Sequence, residues 1–259
     1  MNVERLLERV LQDPDSDEPR LAYADMLEHA APDTDADRNR PAFIRTQIAI
    51  ARTGIMTSQE EWDRFQTLQA TSADLFRQHG HRWQQPLTEL GAEECAFHRG
   101  FVHHIAMRRQ AFLRRAEEVF RTSPIDSLAL RDVDGRIEEV LSLQVLSRLK
   151  ALFLENAGLS EDQVIAIAEC PHLQNLKELD VRGNDVGARG AGALASPALM
   201  PNLGSLHMEY ADIGEEGVDI LRGSFRNKLS CTGYEESKPR LSLLMRILRR
   251  VFQPRSGPF

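Results

Sequence analysis

A strand-then-helix unit recurs along the second half of the chain, and no other feature limits the possible folds so tightly. Aligned on their strands, the units begin at residues 101–107, 127–130, 151–154, 178–181 and 205–208. Taking Ile105, Leu130, Leu154, Val181 and Met208 as equivalent strand positions gives separations of 25, 24, 27 and 27 residues. One such unit cannot bury both its strand and its helix alone, so the units must stack and share a continuous core. The strands of a stack line up in parallel on the concave side, and the helices lie on the convex side.

The clearest copy runs Leu176-Lys177-Glu178-Leu179-Asp180-Val181-Arg182-Gly183-Asn184-Asp185-Val186-Gly187. Leu176, Leu179 and Val181 are predicted to point inward. Asn184 stands where its side chain can bond backbone groups at the turn, which otherwise lack partners. The matching positions in neighbouring units are Ala157 and Ala211, so a full asparagine ladder is not expected. Further apolar positions keep the register: Leu159, Val186 and Ile213, then Val164, Ala191 and Val218.

A period of about 20–29 residues around an L-x-L strand is that of leucine-rich repeats, and the units resemble the ribonuclease-inhibitor class. The expected fold is therefore α/β: an N-terminal helical domain over 1–96, a short leucine-rich-repeat solenoid over 97–231, and a linker with an amphipathic helix over 232–259. Between the inward leucines, the strands should turn Phe153, Asp180 and His207 outward, followed by Glu155, Arg182 and Glu209, with Tyr210 close by. A mixed-charge row with aromatic anchors suits recognition of another protein, and these seven residues are the expected partner-binding positions.

The first third reads as helical. Val3, Leu6, Leu7, Val10 and Leu11 recur at helical spacing. Asp17 can cap a second helix with Pro19 in its first turn. A polar loop over 31–39 precedes a third helix bearing Phe43, Ile44, Gln47, Ile48 and Ile50. Ser58-Gln59-Glu60-Glu61 is a capping-box pattern opening a helix to about His79.

Two stretches here carry a resemblance. They are Asp13-Pro14-Asp15-Ser16-Asp17-Glu18-Pro19-Arg20-Leu21-Ala22-Tyr23-Ala24-Asp25-Met26-Leu27-Glu28 and Arg40-Pro41-Ala42-Phe43-Ile44-Arg45-Thr46-Gln47. Together they resemble the bacterial repeat-companion domain, with Met26 in place of a tryptophan and Pro41-Ala42 in place of Ala-Glu. Arg99-Gly100-Phe101 matches a shorter motif of those proteins, ahead of the repeats. The resemblance covers residues 4–52 closely. It implies a helical cap fused to an interaction array, without catalytic activity, in an adaptor or sensor role within bacterial signalling or conflict systems. Arg20, Asp25, Glu28 and Arg45 in these motifs are either an interaction patch or ion pairs fixing the helices together.

Other chemistry finds little footing. Asp13-x-Asp15-x-Asp17 imitates the start of a calcium loop, but Glu18 and Ala24 stand where the sixth-position glycine and twelfth-position glutamate belong. His79, His81, Cys95, His98, His103 and His104 cluster in sequence, yet their spacing is not that of a zinc knuckle. No nucleophile elbow, P-loop, dinucleotide turn or His-Glu-x-x-His is found. No enzyme activity, metal or cofactor is expected.

The net charge of −7 conceals an uneven distribution. Residues 237–259 hold Lys238, Arg240, Arg246, Arg249, Arg250 and Arg255 and no acid, which leaves −13 on the rest. So acidic a body argues against phosphate-backbone binding, and nucleic acid is not an expected partner. In the tail, Arg246, Arg249 and Arg250 share one arc of a helical wheel, opposite Leu244, Ile247, Leu248, Val251 and Phe252. Such a helix has three open uses: capping the last repeat, docking into a partner groove, or lying on anionic membrane. No apolar run reaches the roughly 18–20 residues of a membrane span. The first residues lack the apolar core of a signal peptide, and Cys95, Cys170 and Cys231 suggest no disulfide framework. A cytoplasmic location is expected.

Overall fold

The computed structural model describes residues 2–29, 34–224 and 229–231. The helix expected in the basic tail lies outside the described residues, as do its candidate docking positions Leu244 to Phe252.

In the N-terminal region, short polar side chains take up backbone N–H groups that the first turn of a helix leaves free. Asn2 Oδ1 accepts from Arg5 N at 2.9 Å and opens α1 (Val3–Gln12). α2 (Glu18–His29) follows an aspartate-rich turn. Ser58 and Glu61 form the expected capping box at the head of α4 (Gln59–Glu89).

Two boundaries differ from expectation. α3 (Asp35–Arg52) starts inside the stretch that reads as a polar loop. Thr34 caps it by accepting from Asp37 N at 3.2 Å, and Asp35 and Asp37 face its positive end. α4 continues past His79 to Glu89. Gly80, which resembles a stop signal, is buried in mid-helix, where a Cβ would meet the Phe76 ring at 2.5 Å. Its missing side chain makes room for that ring.

The rest of the chain is mixed α/β. The sheet follows chain order: β1 (Ala92–His98), β2 (Phe101–Arg108), β3 (Ser127–Arg131), β4 (Ala151–Phe153), β5 (Glu178–Asp180), β6 (Ser205–Met208) and β7 (Leu229–Cys231). β1 is antiparallel to β2, and every later pair is parallel. Between the parallel strands run α5 (Arg109–Thr122), α6 (Glu138–Leu141), α7 (Glu161–Glu169), α8 (Gly187–Leu194) and α9 (Tyr210–Ser224).

β1 was not foreseen, and it runs across the domain boundary expected between 96 and 97. Its signal was local, a two-residue turn with positive φ at both Arg99 (50°) and Gly100 (81°). Such a turn matches the twist of a hairpin.

The register also corrects the repeat alignment. Ile105 pairs with Leu128, not Leu130, whose partner is Met107. The inward row is thus Ile105, Leu128, Leu152, Leu179 and Leu206, all fully buried. Apolar alternation allows a slip of two residues, because both settings keep the same side chains inward. Only the hydrogen-bonded ladder separates them.

The units are also tied by polar contacts that repeat. Lys150 O accepts from Lys177 N and Glu178 N, and Lys177 O accepts from Gly204 N and Ser205 N. On the looping side, Asn175 Nδ2 donates to Ser147 O and Asn202 Nδ2 to Gln174 O, each at 2.9 Å. One apolar cluster runs from Leu87 to Leu221. A smaller one, Val10, Ala24, Ile44 and Ile48, is completed by Phe101 of β2. Among the described residues, no helix is long and apolar enough to cross a membrane.

Candidate functional site

The side of the sheet opposite the leucine row carries the expected partner-binding positions. In the middle row, β2 to β6 place Ala106, Ala129, Phe153, Asp180 and His207 side by side. Ala106 is fully buried and Ala129 is 4% exposed, so the row is shallow at its β2 end. Phe153 is half-buried and meets the His104 ring edge-on, with centroids 5.7 Å apart.

Polar members of the surface are held by one another. Arg182 donates to Asp180 through its backbone N at 3.2 Å and its Nε at 2.8 Å, and its Nη2 lies 3.5 Å from Glu155. Burial works against the charge of Arg182, but the Asp180 and Glu155 carboxylates outweigh it and raise its pKa above the usual value. Asp180 itself is only 1% exposed. His207 Nε2 lies 3.1 Å from both Glu178 Oε1 and Ser205 Oγ. Glu209 is half-buried just beyond β6, and the backbone of Tyr210 begins α9. The structure therefore brings Phe153, Glu155, Asp180, Arg182, His207 and Glu209 together on one face. Asp180, Arg182 and His207 are held in place by their neighbours.

Beside this face lies a group that sequence patterning did not single out. Glu93 of β1 accepts from Arg108 Nε at 2.6 Å and from Arg131 Nη1 at 2.9 Å, and Glu94 also pairs with Arg131. The Arg108 contact, with Arg131 behind it, holds the Glu93 carboxyl below its ordinary pKa against the effect of burial. Without β1, the two acids had no assigned place.

At the turns, Asn184 is buried and fully engaged. Its Oδ1 accepts from Ala157 N and Leu159 N, each at 3.0 Å, and its Nδ2 donates to Leu154 O and Val181 O, each at 2.8 Å. Asp212 supplies a related contact one unit on, accepting from Gly183 N and Glu209 N at 3.0 Å. It stands one residue past Ala211, which is why strict spacing did not reveal it.

The resemblance motifs converge on the turn of the β1–β2 hairpin. A Cβ on Gly100 would lie 2.5 Å from Ile44 Cα, so the turn rests directly on α3. Arg99 donates to Asp15 O and sits by Asp17, and Asp15 pairs with Lys150. Arg20, 3% exposed, donates to Ser16 O at 3.0 Å and lies over the Phe101 ring. Arg45 bridges Asp25 at 2.7 Å and Glu28 at 2.6 Å, joining α3 to α2. Arg45, Asp25 and Glu28 thus form ion pairs between helices, whereas Arg20 is held by a backbone carbonyl and a ring.

The histidine and cysteine cluster is spread over different environments. Burial pushes the Cys95 thiol up to about 12, so it is not a thiolate at neutral pH. His104 is fully buried, with Nδ1 2.7 Å from Ser127 Oγ, and burial foremost, then nearby His103, lowers its pKa to about 3. The same two causes bring His98 to about 4. His103 Nδ1 lies 3.1 Å from Asp126. Among the described residues, no three of these types are grouped to hold a metal ion.

Residues 172–195, the unit built around β5 and α8, match the family model described as Leucine Rich repeat. No curated protein matches the chain.

Proposed function

We propose that this chain is a non-enzymatic adaptor or sensor whose leucine-rich repeats bind another protein across the outward face of β2 to β6. The observation that supports it is the strand ladder that sets Phe153, Asp180 and His207 side by side, with Arg182 and His207 held by neighbouring carboxylates. Repeats of this kind commonly serve as binding surfaces, with an aromatic anchor among polar neighbours. In the fuller form of this proposal, residues 1–96 are a bacterial repeat-companion cap, 97–231 form a short solenoid, and the protein acts in the cytoplasm within a signalling or conflict system.

The test is comparative capture from native lysate. The wild type should retain a stoichiometric partner, and so should Arg114→Glu, a reversal on the exposed side of α5. Phe153→Asp combined with Glu209→Lys should lose it while circular dichroism stays unchanged. Capture of the same partner by the double variant would remove the sheet face from consideration.

The six cationic residues of the tail favour a second reading, recruitment to anionic membrane. Equal liposome flotation with and without residues 239–259 would reject it.

A further inference from the structure

A cavity of about 500 Å³ opens between the helical region and the first repeat. Its walls come from α2 (Tyr23), α3 (Arg40), α4 (Trp83 and Leu87) and β2 (Phe101). It thus lies on the junction that the hairpin turn fastens, away from the row on the sheet face.

Arg40 is the unusual member. Its guanidinium carbon lies 5.0 Å from the Trp83 ring centroid, 5.3 Å from Phe97, 5.5 Å from Phe101 and 5.7 Å from Phe43. Four aromatic faces thus surround one cation. Yet among the described residues the Arg40 side chain makes no hydrogen bond or ion pair, and its Nη1 is buried without a partner. The other arginines with an orphaned nitrogen each have a second tie: Arg20 to Ser16 O, Arg99 to Asp15 O, and Arg109 within 3.9 Å of Glu139. Burial lowers the Arg40 pKa only to about 10, so it is cationic at neutral pH.

A buried guanidinium costs several kcal/mol in lost hydration unless an anion or acceptors replace the water. Ring faces recover part of this, but they leave the N–H donors unanswered. Tyr23 also lines the cavity, and its hydroxyl makes no hydrogen bond among the described residues, so it can serve as a second donor. The Trp83 indole N–H is already taken, donating to Ala36 O at 3.0 Å, which fixes the ring as a wall.

We infer that this cavity binds a small organic carboxylate with an apolar or aromatic body, its carboxylate on Arg40 and Tyr23 and its body against Trp83, Leu87 and Phe101. A single unbonded guanidinium matches a monoanion. Asp37 and Glu89 at the lining disfavour a phosphate dianion, with Arg82 as the only other cation there. The occupant would touch α2, α3, α4 and β2 together, and so would strengthen the attachment of the helices to the repeats.

The experiment titrates the full chain with phenylacetate, 3-phenylpropionate and indole-3-acetate, followed by calorimetry and the fluorescence of Trp83. Phenethylamine and inorganic phosphate serve as comparators. At least one carboxylate should saturate and raise the melting temperature by linkage. Arg40→Met keeps the stem and removes the unpaired charge, so the variant should fold at least as well. It should bind that carboxylate at least about 10-fold more weakly, the scale of a lost charged hydrogen bond. Tyr23→Phe should weaken binding by a smaller factor. Three results would overturn the assignment: no saturation by any of the carboxylates up to 10 mM (about 10,000-fold weaker than a micromolar site), equal binding by phenethylamine or phosphate, or unchanged affinity in Arg40→Met.

Discussion

In the repeats, a residue such as Leu152 lies between Leu128 and Leu179, and its contacts recur one unit away on either side. The helical region has nothing of the kind. Its own cluster, Val10, Ala24, Ile44 and Ile48, is closed by Phe101 from β2, and its polar ties to the rest occur once each. Arg99 reaches Asp15, Lys150 reaches Asp15, and Gly100 rests on Ile44. Similar interfaces share stability along a run of repeats, whereas the helical region meets the sheet through contacts that are each made once, such as Phe43 against Phe97 and Gly100 on Ile44.

The largest effect should follow from striking that turn. Gly100→Val combines a positive φ of 81° with a Cβ placed 2.5 Å from Ile44 Cα. A cost of about 3 kcal/mol or more is expected, read as a lowered urea midpoint. Hydrogen exchange should then show α1 to α3 losing protection while β3 to β5 keep theirs. Uniform loss across both regions would mean that the two fold as one unit, and the contrast would fail.

A blow of similar kind inside the repeats should stay local. Asn184→Ala strands two backbone N–H groups and two carbonyls around the turn after β4 and β5. A loss of about 2–3 kcal/mol is expected from their unmade bonds. Exchange should quicken at Ala157 and Leu159 and leave the hairpin unaffected. A wider response would show that the units are less independent than their repetition suggests.

Acid should act at the seam between the two. His98 and His104 have pKa values of about 4 and about 3, below the ordinary 6.5, so the unfolded chain takes up their protons first. Their contribution is complete above pH 6.5 and declines as pH falls from there toward 4 and then 3. Between pH 7 and 5 each should cost about 2 kcal/mol, measured by urea melts at the two pH values. His104→Gln should flatten the dependence, and an unchanged slope would place the acid sensitivity elsewhere. Asp126 adds to the loss only at lower pH. Burial opposes its charge, but His103 and Lys150 hold its pKa below 3.8.

Much of the repeat architecture was legible because its signals are local or periodic. The strand centres, the role of Asn184 and the capping box at Ser58 each follow from a few neighbouring residues. The outward row was placed by simple alternation, and Phe153, Asp180 and His207 do stand side by side in the ladder. What alternation could not convey was their pairing: Asp180 and Arg182 satisfy each other, and His104 is buried beneath Phe153 on the side expected to be open. Asp212 escaped notice because it is one residue out of step.

By itself, the sequence determined that strand-and-helix units recur, roughly where the parallel strands and their helices lie, and which side chains face the core. Those properties depend on spacing along one segment, and a period survives without knowledge of its neighbours. Only the tertiary structure decided that β1 joins the sheet, that Ile105 pairs with Leu128, and that Arg40 comes to rest among four rings with its Nη1 unbonded. These depend on segments far apart in the chain meeting at a particular register, and composition and periodicity carry no record of such meetings.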